Sequence, residues 1–80
     1  MPDPLVVARR QSLTQATERA GLTVLRPLAE RAGINHETVR RIRHGERTSL
    51  ATATALAAAL DADVRDLFQH VNGDPLGGAA

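Results

Sequence analysis

The sequence predicts an all-α fold of five short helices in one domain, and three observations lead there. Of the 80 residues 42% are hydrophobic, yet only Phe68 is aromatic. A core of Ala, Leu, Val and Ile suits close helix packing better than a β-sandwich. Glycines at positions 21, 33 and 45 divide the chain at helix-length intervals, each just past an apolar-periodic stretch. Between them the apolar residues recur at spacings of three and four, the period of a one-sided helix.

Asp3-Pro4 reads as an N-cap followed by proline in the first turn, opening a helix over Leu5 to Ala20 that Gly21 ends. Its inward positions are Val6, Leu13, Ala16 or Thr17, and Ala20. Leu22 to Arg26 is a connection. Pro27 is tolerated only in a first turn, so the second helix spans about Pro27 to Ala32, closed by Gly33. Asn35 caps a third helix, with Val39 and Ile42 as its buried stripe and Gly45 as its end. Residues 45–48 form a charged loop. Ser49 caps the fourth helix, Leu50 to Leu60, whose inner face carries Leu50, Ala53, Leu56, Ala57 and Leu60. Asp63 starts a short fifth helix, with Asp66 placed to return the cap and with Val64, Leu67 and Phe68 facing inward. The expected organisation is residues 1–10 as the start of the first helix, 11–71 as the folded domain, and 72–80, rich in turn-forming residues, as a mobile tail.

Composition excludes several function classes. With no cysteine there is no disulfide scaffold, thiolate zinc site or cysteine nucleophile, which fits a reducing compartment. No apolar run reaches the roughly 18–20 residues of a membrane span, and Met1 to Ala8 does not read as a signal peptide. His36 and His44 have no partners at ligand spacing, so no metal is expected. No Ser-His-Asp set, phosphate-binding glycine loop or carboxylate pair stands out, so neither an enzyme nor a cofactor is expected. The net charge is only +1, but it is unevenly placed. Residues 1–48 hold nine arginines against five acids, a net of +4, and residues 49–80 hold one arginine against four acids, a net of −3. Such a fold presents one basic end.

The most informative stretch is Leu25 to His44. Ala29 is small where a second helix would cross. Gly33 stands where the chain leaves the preceding helix, and Ile34, Val39 and Ile42 supply the inner face. His36, Glu37, Arg40, Arg41 and His44 are left on the outer side, with no apolar role. The run Leu28-Ala29-Glu30-Arg31-Ala32-Gly33-Ile34-Asn35, followed by Thr38-Val39-Arg40-Arg41-Ile42 and Gly45, resembles the helix-turn-helix of the Cro/repressor (XRE-like) family. Downstream, Ser49-Leu50-x-Thr52, Leu56-Ala57-x-Ala59-Leu60 and Asp63-Val64-x-Asp66-Leu67-Phe68 resemble that family's fourth and fifth helices. The likeness covers roughly Ser12 to Phe68, with the motif at about 25–44.

The resemblance implies a lambda-repressor-like DNA-binding domain acting as a transcriptional regulator, a repressor or Cro-like switch protein, in the cytoplasm of a bacterium or phage-infected cell. Its partners would be double-stranded DNA and a second copy of the chain. Carried over by position, the base-reading residues are His36, Glu37, Arg40 and Arg41. The phosphate-contacting residues are Arg26, Asn35, Thr38, His44 and Arg47, and the dimer surface is Val64, Leu67, Phe68 and Val71. Arg9, Arg10 and Arg19 fit flanking phosphates no better than plain solvation. Three features depart from the family pattern. There is an extra residue with Pro27 ahead of the second helix, Leu25 stands where a polar phosphate contact is common, and Asp61 stands where glycine usually ends the fourth helix. Two other roles fit the same fold: an antitoxin that binds its toxin through the tail, and a protein-interaction module indifferent to Arg40 and Arg41.

Overall fold

The structure, a computed structural model, describes residues 4–77. Five helices are present among them: α1 (Arg10–Ala20), α2 (Leu25–Ala32), α3 (His36–Arg43), α4 (Leu50–Ala59) and α5 (Val64–Leu67). The fold is nevertheless not all-α. Strands β1 (Leu5–Ala8), β2 (Thr48–Ser49) and β3 (Phe68–His70) form an antiparallel sheet in the order β2-β1-β3.

The expected long first helix is therefore a strand followed by a helix. The β-branched pair Val6-Val7 favours extended backbone, and both neighbours of β1 supply ladder partners. Leu5 lies opposite Ser49 and Val6 opposite Thr48, while Val6, Val7 and Ala8 lie opposite His70, Gln69 and Phe68. Alternation follows from the pleat: Val6 and Ala8 are buried, whereas Leu5 points outward. The Pro4 carbonyl extends the pairing by accepting the Leu50 N–H at 3.0 Å. Asp3, the expected cap, lies outside the described residues. The N-cap of α1 is instead Arg9, whose side chain makes no capping bond and whose N–H donates to the Leu67 carbonyl at 2.7 Å.

The middle of the chain follows the expected order. α2 begins two residues earlier than expected, at Leu25. That places Pro27 third in the helix, where its missing N–H removes no helical bond. Gly33 ends α2 at φ +69°, and the Ile34 N–H returns to the Ala29 carbonyl at 3.0 Å. No atom lies within 4 Å of the Cβ that Gly33 lacks, so the glycine is required by backbone conformation and not by space. Leu28, Ala29, Val39 and Ile42 are buried where α2 and α3 meet. Ser49 caps α4, its hydroxyl accepting the Thr52 N–H at 3.2 Å. Asp61 takes up φ +54° after α4, a left-handed conformation that glycine adopts most readily.

The C-terminal third departs most from expectation. α5 spans only four residues, because Phe68 turns extended to pair with Ala8 and bury its ring. Leu67 and Phe68, expected on a dimer surface, are 2% and 0% exposed within the protomer. They are committed to its core, leaving half-buried Val64 and exposed Val71 on the surface. The segment after Asn72 makes specific contacts as far as it is described. The Asn72 side chain accepts the Asp74 N–H at 3.0 Å, and the His70 N–H donates to the Asp74 carbonyl at 2.8 Å. Pro75 then bridges to Gln69, and Leu76 joins the core at 7% exposure.

Two predictions follow from this packing. Leu76→Ala should lower stability by about 2 kcal/mol in urea denaturation, as for a core leucine and not for a tail residue. The second concerns Asp63, which caps α5. Its carboxylate accepts the Arg65 guanidinium at 2.7 Å and the Arg65 backbone N–H at 2.8 Å, and these bonds, the first above all, hold its pKa at about 2, below the ordinary 3.8. A depressed carboxyl contributes stability above its unfolded value and loses it as the pH falls. The contribution of Asp63 should therefore fade between about pH 4 and pH 2, and Asp63→Asn should abolish that part of the acid dependence of Tm.

Candidate nucleic-acid interface

The candidate interface is built on α3, whose position is fixed before its chemistry is considered. Val39 and Ile42 bury one side of the helix, and Asn35 sets its start, the side-chain oxygen accepting the Glu37 N–H at 2.8 Å. At the other end the Arg43 guanidinium donates to the Thr23 carbonyl at 3.0 Å. This bond ties the last turn of α3 to the connection between α1 and α2. One donor of Arg43 is thus used in bracing, consistent with its half-buried position.

The outer side of α3 carries His36, Arg40 and Arg41, all exposed, with half-buried Glu37 among them. Glu37 is the centre of this group. Its carboxylate accepts both Nε (3.2 Å) and Nη2 of Arg40, and its Oε1 lies 3.9 Å from Nε of Arg41. The pairs fall at spacings of three and four, which a helix places side by side. The Arg40 hydrogen bond is the main reason the Glu37 carboxyl titrates below its usual range, with the charges of Arg40, Arg41 and His36 acting in the same sense. Arg40 in turn is held above the ordinary guanidinium value, first by that hydrogen bond and then by the Glu37 charge.

The other expected contact residues are distributed around this helix. Arg26, on the first turn of α2, lines a shallow groove together with Gly33, Ile34 and His36, so the starts of α2 and α3 converge. His44, the C-cap of α3, lines a second groove with Arg10, Thr14, Arg40 and Arg43. Asn35 uses its side-chain oxygen for the cap, and Thr38 is half-buried. Arg47 lines a different depression, beside Leu5, His70 and Val71. Arg10 lines the same groove as Arg40 and His44, which spacing alone could not reveal, because it depends on where the fold sets the start of α1. Arg19 does not join it. With Arg31 it lines a groove that also holds Asp61, Asp63 and Asp66. The Glu37–Arg40–Arg41 association went unread in the sequence, although its spacings of three and four carry the signal.

An arrangement of this kind offers forked donors and one carboxylate acceptor on a narrow helical surface, the types that hydrogen-bond base edges and phosphates. No cluster of three His, Cys, Asp or Glu able to hold a metal ion occurs among the described residues. No helix among them is long and apolar enough to cross a membrane. A family model described as a Cro/C1-type HTH DNA-binding domain matches residues 13–73. Comparison with curated proteins and with solved structures gave no match.

The cap at Asn35 supplies a direct test of how α3 is held. Asn35→Ala should cost about 1 kcal/mol of stability in chemical denaturation, whereas Asn35→Asp, which keeps the acceptor, should lose little.

Proposed function

Because the match extends over more than half of its length, the chain belongs to the Cro/C1-type helix-turn-helix DNA-binding family, and on that premise we propose that it regulates transcription by placing α3 in the major groove of a specific operator. In this reading Arg41 forks onto guanine O6 and N7, Glu37 accepts from a base amino group, and His36 and Arg40 complete the base contacts. Arg26, Asn35, Thr38, His44 and Arg47 face phosphates and set register. One observation carries the reading. The outer side of α3 presents His36, Glu37, Arg40 and Arg41, while Val39 and Ile42 fasten its inner side to the core.

The mode we propose is that of a repressor or Cro-like switch, in which occupancy of the operator blocks or admits polymerase. One recognition helix gives a small footprint, since single modules bury only about 600–1,000 Å² of protein surface. A homodimer on a pseudo-palindrome, with half-sites about 34 Å apart, answers that limit. With Leu67 and Phe68 sealed in the core, the surface proposed for the second copy falls to Val64 and Val71. The packing of Leu76 supports a tail that belongs to the domain itself, and so lends nothing to a tail that captures a toxin.

Fluorescence anisotropy with labelled duplex DNA tests this reading. Binding should weaken with salt, with a log–log slope of about −0.9 for each phosphate neutralised. On an operator selected from a random pool, Arg41→Ala should lose about 1–3 kcal/mol and relax specificity at one base pair. Failure of the protein to bind any duplex at low salt would sink the proposal.

A further inference from the structure

α3 holds three arginines, and in the unbound protein each of them already has a partner. Arg43 donates to the Thr23 carbonyl, Arg40 gives two donors to the Glu37 carboxylate, and Arg41 lies within 3.9 Å of the same carboxylate. Glu37 is also the single acid between His36 and Arg43. A surface meant only to attract a polyanion gains nothing from a carboxylate at its centre. Such a group repels phosphate and occupies the donors that phosphate needs.

From this geometry we infer that Glu37 is a specificity-determining residue that withholds Arg40 from indiscriminate phosphate contact and releases it where a base amino group takes the arginine's place. The inference rests on the DNA-binding reading above and deepens it. The physical logic is an exchange of partners. Where the base whose edge faces the carboxylate is cytosine (N4) or adenine (N6), the amino donor keeps the carboxylate hydrogen-bonded when Arg40 swings away. At an edge that offers only acceptors, guanine O6 and N7 or thymine O4, release of Arg40 leaves the carboxylate facing lone pairs and the phosphate charge. Discrimination then arises from a penalty at wrong sites as much as from a gain at the right one.

The consequence is measurable on DNA of random sequence, where no amino donor is reliably in place. Anisotropy titrations at several salt concentrations compare the wild type, Glu37→Ala, Arg40→Ala and the double variant. Both side chains lie at the surface, and circular dichroism checks that each variant folds. Removal of Glu37 should free Arg40 for one more phosphate. The log–log salt slope should steepen by about 0.9, which at 0.1 M salt corresponds to binding about tenfold tighter. In the Arg40→Ala background the same change should give less than about threefold, since the donor it would release is gone. Equal gains in the two backgrounds would show ordinary charge repulsion and overturn the inference, as would no gain at all. Absence of duplex binding by the wild type and by Glu37→Ala at low salt would overturn the DNA-binding reading together with it. Wild-type binding with an unchanged slope in Glu37→Ala would overturn this inference alone.

Discussion

Burial of the Phe68 ring is the interaction on which the rest of the architecture turns. It is the largest fully buried side chain in a core otherwise built from aliphatic residues and Thr17. For the ring to enter that core the backbone must leave the helical conformation at Phe68, and it does so at φ −133° and ψ 160°. That single step ends α5 after four residues and turns Phe68 to His70 into β3. β3 in turn gives β1 a partner, and β1 brings Val6 and Ala8 over the same core. A helix continued through Val71 would leave β1 without this neighbour. The small sheet and the short last helix are therefore two results of seating one aromatic residue.

The helical part of this design was legible because its signals are local. Gly33, Asn35 and Ser49 each mark a boundary through their own backbone or side-chain chemistry, and the structure uses all three at those positions. Val39 and Ile42 declare the inner side of α3 by spacing alone. The strands left no such mark. Beyond the mild extended preference of Val6-Val7, Leu-Val-Val-Ala is too short to choose between a helical stripe and a pleat, and what decides is a pair of partners about forty and sixty positions away. Tertiary context then overrides the reading of the segment taken by itself. The same cause misplaced Leu67 and Phe68. Their apolar character was plain, but whether it served a partner or the protomer's own core depended on where the chain went next. In the candidate interface, residue types and helix face were legible; the pairing of Glu37 with Arg40 and Arg41 was missed, although spacings of three and four on a helix carry its signal. The bond from Arg43 to Thr23 was not legible, because it joins residues twenty positions apart through the packing of α3 against the α1–α2 connection.

The charge asymmetry of the sequence takes a more particular form in three dimensions. Arg10, Arg40, Arg43 and His44 line one groove, whereas Arg19 and Arg31 share another with Asp61, Asp63 and Asp66. Basic residues from the same half of the chain thus have different electrostatic surroundings. A count of arginines overstates the cationic surface near α3, and the position of each group relative to the acids sets the local field.

The central position of β1 also shapes how the chain reaches this structure. During synthesis Leu5 to Ala8 emerges before the helices, yet β3 completes its pairing only after nearly the whole domain has been made. α2, α3 and α4 hold their contacts within a shorter span of chain and can associate while that strand is still unpaired. A Val-Val segment with backbone groups open on its β3 side then waits near the growing helices, in the state from which stray strand pairing arises. Closure of the sheet becomes the step of longest sequence separation in the fold, and so the one that most slows its completion.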